Sequence, residues 1–113
     1  MEMNKLNIFI NDSKVFDYDK DIDFEESQLE FLNKMDSDME QGIKIHGKLI
    51  PHPDTRQRAT FVVMNLIKAL QQGNEAILSA SCAYLNHRMP NLHEVHANDH
   101  KDGIKVEFME NHG

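Results

Sequence analysis

Residues 92–103 read LHEVHANDHKDG. Three of the chain's seven histidines, His93, His96 and His100, fall in this stretch, among Glu94, Asp99 and Asp102. Imidazole nitrogens, with carboxylates as further ligands, are what zinc and nickel favour. On a helix these histidines would stand at i, i+3 and i+7 on one face, with Glu94 or His87 completing the site. The segment is a poor helix, however, because NDHKDG is rich in turn formers. Read as a hairpin, LHEVHA is a strand, NDHKD the turn and GIKVEFM the return strand. Strand side chains alternate, so His93 would then lie with Val95, and His96 on the other face with Leu92 and Glu94. The propensities favour the hairpin, and the histidine spacing matches no established metal motif.

Other residues of chemical interest are weaker candidates. DYDKDIDFEE (17–26) has the carboxylate density of a calcium loop. An EF-hand needs Gly at position 6 and Glu at position 12, where this chain has Ile22 and Gln28. Cys82, the one cysteine, sits in ASCAY on an apolar helix face, and His87 is poorly placed to activate it. No nucleophile elbow, phosphate loop or dinucleotide fingerprint is present. Arg56 and Arg58 form a small basic patch at the start of a helix, where an acidic partner could dock. Met35 and Met39 lie on the apolar stripe of an acidic helix, and methionine stripes adapt to partners.

The elements that must position these residues follow from periodicity. LNIFI (6–10) and KVFDY (14–18), joined by NDS, read as an N-terminal hairpin. Residues 23–41 have helical spacing, with Asp23 and Glu26 as a capping box and Gly42 as the stop. IKIHGKLI (43–50) alternates as a strand, broken by PHPD. A second helix, 54–72, has Asp54 as cap, with Gln57 three residues on. Its ATFVVMNLIKAL segment is apolar around most of its girth, as expected of a central buried helix. QQGN ends it with Gly73 and starts a third helix, 75–88, at Asn74. That helix carries a run of small residues, and Pro90 forbids much continuation. GIKVEFM (103–109) alternates clearly as a C-terminal strand. Strands at both ends with helices between predict an α+β domain spanning 1–113. It should be a small, mostly antiparallel sheet packed against three helices.

Composition narrows the function classes. A net charge of −7 argues against nucleic acid and anionic membranes as partners. No apolar run is long enough to span a bilayer, the N-terminus lacks a signal-peptide pattern, and a lone cysteine cannot form an internal disulfide. These point to the cytoplasm. The sequence is therefore read as a small acidic cytosolic factor that binds another protein in a regulatory or accessory, non-catalytic role. Homodimerisation is an expected mode, with the helices 59–70 and 75–88 as the seam. The alternatives are a zinc or nickel protein built on His93, His96 and His100, and a small enzyme with a site assembled from scattered polar residues.

Overall fold

A computed structural model describes residues 4–21, 25–101 and 103–110. They fold into three helices, a four-stranded mixed sheet and a separate two-stranded hairpin, an α+β arrangement. The order is β1 (Lys5–Ile10), β2 (Ser13–Asp19), α1 (Glu26–Glu40), β3 (Ile43–Ile45), β4 (Lys48–Ile50), α2 (Thr55–Gln72), α3 (Glu75–Arg88), β5 (Leu92–His100) and β6 (Gly103–Glu110).

The main sheet is two hairpins laid side by side in the order β2-β1-β5-β6. The first strand of each hairpin is inside, so β1 and β5 run parallel while the outer pairs are antiparallel. The parallel central pair is invisible to local patterning. It arises because the three helices carry the chain across one face before β5 enters beside β1. Leu6 and Ile8 of β1, Tyr18 of β2, and Leu92, Val95 and Ala97 of β5 are buried beneath the helices. Lys5, Asn7 and Phe9 alternate with them onto the opposite, open face.

The central helix behaves as its sequence demands. Ala59, Val62, Val63, Leu66, Ile67 and Ala69 of α2 are all buried. Leu78, Ser81, Cys82, Ala83, Tyr84 and Leu85 of α3 pack with them. The apolar surfaces expected to form a dimer seam are thus largely consumed within the chain. Asp54 and Gln57 cap α2 reciprocally, at 2.8 and 2.9 Å. Gly73 ends it at φ +68, and Asn74 Oδ1 accepts from Ile77 N at 3.2 Å to begin α3.

Three local expectations need correction. The first helix starts later than proposed: Glu25 is its N-cap and its backbone N–H donates to Gln28 Oε1 at 3.0 Å. Asp23, the expected cap, lies outside the described residues. The single strand at 43–50 is instead a tight hairpin, β3–β4, turning at His46 (φ 52) and Gly47 (φ 77). Positive φ at both central residues is the turn that matches strand twist, and histidine tolerates that region better than most side chains. Finally, β5 does not end at Ala97. Asn98, Asp99 and His100 continue the ladder against Lys105, Ile104 and Gly103, because a two-residue connection suffices.

Candidate functional site

The histidine stretch is strand, and the strand separates its ligands. A β-bulge between Leu92 and Glu94 inserts one residue, so both Leu92 and Val95 face the core. Strict alternation would have put Leu92 outside with Glu94 and His96. His96 lies on the open face, stacked flat on Phe9 at 4.5 Å between ring centres, with Nε2 2.9 Å from Glu94 Oε1. His93 stands at the bulge, its Nδ1 screened from solvent and without a hydrogen-bond partner. His100 is exposed at the end of β5. His87, at the end of α3, has Nδ1 3.0 Å from Arg88. Among the described residues no group of three His, Cys, Asp or Glu side chains is gathered closely enough to hold a metal ion.

The basic pair at the start of α2 is already engaged. Arg56 bonds Glu110 at 3.0 Å and lies over the Phe108 ring at 5.5 Å, tying α2 to β6. Arg58 donates to Asp36 at 3.1 Å, to the Pro53 carbonyl at 3.1 Å and to Glu40. Met39 is buried and Met35 packs partly against the core, so both serve chiefly to hold α1 down. Cys82 is fully buried, and burial pushes its thiol up to about 12, which removes the thiolate a nucleophile requires.

Sequence reasoning passed over Asp36. Its Oδ1 accepts from Tyr84 and Arg58, and its Oδ2 from Arg88 Nε at 2.9 Å. Arg88 also reaches Asn33 Oδ1 at 2.8 Å. Burial alone would raise the Asp36 carboxyl. The hydrogen bonds from Tyr84 and Arg58 and the charge of Arg88 outweigh it and hold the group below the usual carboxylate range. The Tyr84 hydroxyl is pushed up, by burial first and by its bond to Asp36 second. This cluster clamps the C-terminal half of α1 onto α2 and α3. The signal available in the sequence was Arg88 in the last turn of its helix, but nothing said which acid it would meet.

Beyond the clamp, α1 and α3 part. Between them and β2 lies a cleft of about 460 Å³. Phe31, Leu32 and Tyr18 line one side, and the small residues Ala76, Ser79, Ala80 and Ala83 line the other, with Ser27 and Gln28 at the end of α1. The small residues stand at i, i+3, i+4 and i+7 of α3 and present one shallow face. Among the described residues no charged side chain lines the cleft. Phe31 is 51% exposed beside it, and Leu29 and Ile77 are also exposed. Several exposed acidic residues adjoin the lining positions in the sequence: Asp21, Glu25, Glu26, Glu30 and Glu75. Of the nearby lysines, Lys34 lies a turn along α1, while Lys20 is folded back onto the carbonyls of Pro90 and Leu92 at 3.0 and 2.6 Å.

No protein-family model matches the chain, nor does any curated protein or solved structure. Among the described residues, no helix is long and apolar enough to cross a membrane. Any functional reading therefore rests on the chain's own surface.

Proposed function

We propose that this is a small acidic protein-binding factor of the cytoplasm, regulatory or accessory in role, whose partner engages the cleft between α1 and α3. The observation that carries this reading is the uncharged, concave, partly apolar cleft beneath the half-exposed Phe31. Apolar pockets with exposed aromatic residues at their edge receive anchoring side chains of other proteins. The chain's net charge of −7 and the exposed acidic residues next to the lining positions in the sequence favour a partner that flanks its apolar anchor with Lys or Arg, and speed encounter with it.

A photo-cross-linking side chain at Ser79 tests the reading in extract of the source cells. A discrete adduct is expected from Ser79, but not from the same group placed at Lys48, far away on β4. Ala80→Trp, which fills the cleft, should abolish the adduct, and raised salt should weaken it. Absence of any adduct from Ser79, or identical adducts from both positions, would overturn the proposal. The metal-binding reading has no comparable support, because the histidines on which it rests are spread along a strand.

A further inference from the structure

β6 is an edge of the four-stranded sheet, with no strand beyond it among the described residues. Its outward backbone groups can be assigned. The Ala97 carbonyl accepts from Asn11 N at 2.9 Å, so Ala97 directs its hydrogen-bonding groups toward β1. Val106, opposite Ala97, must then turn its own N–H and C=O away from β5. Ile104 has the same parity, and its carbonyl accepts a hydrogen bond from His46 Nε2 at 2.6 Å, from outside the sheet. The outward row is therefore Ile104, Val106 and Phe108.

Their side chains pack only partly against the core, and among the described residues no strand continues the sheet on their outer flank. Lys105 and Glu107 alternate with them, exposed on the open face. Read from either end, this segment is apolar, charged, apolar, oppositely charged, apolar.

We propose that β6 pairs antiparallel with β6 of a second copy, about a two-fold axis through Val106, joining the two sheets into one. Lys105 then lies opposite Glu107 of the other copy, and Ile104 opposite its Phe108, each twice, as an isologous interface requires. Moving the axis to Lys105 or Glu107 would set like charges directly opposite each other, which is destabilising. The other edge, β2, is guarded against the same pairing: Asp17 and Asp19 would meet acid with acid about either Asp17 or Tyr18. His46 is a partial guard on β6, and its bond to Ile104 must open on each copy as the strands join. The cleft borders β2, at the far edge, so both cleft and dimer seam stay accessible, and neither proposal depends on the other.

Sedimentation equilibrium of the full chain and its variants tests the pairing. The wild type should be a dimer. Lys105→Glu and Glu107→Lys should each weaken it by about tenfold, from two lost cross-strand pairs and two repulsions. An equimolar mixture of the two variants should dimerise again, because an all-acidic strand then faces an all-basic one. His46→Ala, which frees the Ile104 carbonyl, should tighten the wild-type dimer. A wild type that stays monomeric at millimolar concentration would overturn the proposal. So would a dimer indifferent to both charge reversals, or a mixture no stronger than its components.

Discussion

Asp36 is one of nineteen acidic residues, and its neighbours on α1 do nothing to distinguish it from Asp38 or Glu40. Its partners do: Tyr84, Arg58 and Arg88 converge on its two oxygens from α2 and α3. Its side chain is 23% exposed, so the surrounding charges are only partly screened. Asp36→Asn should cost about 2–3 kcal/mol in urea unfolding at neutral pH, since two arginines lose their shared counter-charge. The pH dependence has a definite sign. The folded-state pKa of Asp36 is depressed, so its contribution is complete above the unfolded value of about 3.9. It is lost as pH falls below that value toward the folded one. The acid limb of the stability profile should therefore be shallower in Asp36→Asn than in the wild type. Equal slopes would show that Asp36 is not held ionised by the clamp.

Among the elements, the helix ends were the most legible. Asp54, Gln57, Gly73 and Asn74 occupy the capping positions their types predict, because capping is a bond between neighbours in sequence. Asp54→Ala should lower stability by about 1 kcal/mol and leave the position of the other elements unchanged, as chemical denaturation and NMR chemical shifts would show. The strand register was less legible. The bulge near His93 shifts the phase of the alternation, so Leu92 and Val95, an odd three residues apart, both face the core; that spacing alone does not tell a bulge from Leu92 simply lying outside. The hairpin at His46–Gly47 was missed because its alternating residues read equally well as one strand. The positive φ at both His46 and Gly47, the first an unusual turn residue, divides them. The spread of His93, His96 and His100 follows from the same choice of strand over helix.

In the whole molecule, α1 is the outlying element. Among its described residues it buries Leu32 and Met39, whereas α2 buries six side chains. Its C-terminal half is clamped through Asp36, and its N-terminal half stands over the cleft. Amide hydrogen exchange should therefore show α1 opening at lower free energy than α2, β1 and β5. Asp36→Ala should abolish protection in α1 while leaving measurable protection in the central strands. Uniform loss across α1, α2 and the central strands would mean that α1 opens only with global unfolding. A loosely held helix at the cleft would also give the proposed partner room to enter without disturbing the core beneath. The two proposals thus use faces of different character: an uncharged cleft between α1 and α3, and an edge strand on which Lys105 and Glu107 alternate with apolar residues.

What the sequence by itself determined was the α+β class, the three helices with most of their ends, the two long hairpins and the burial of the 59–70 segment. These depend on bonds between near neighbours and on hydrophobic period, both of which a linear chain displays. Tertiary structure decided which strands lie side by side, that Asp36 rather than another acid receives Arg58 and Arg88, that the small residues of α3 face a cleft, and that β6 is left at an edge. Each of these joins residues dozens of positions apart. Their proximity follows from how the helices cross the sheet to bury the most apolar surface, which no local pattern records.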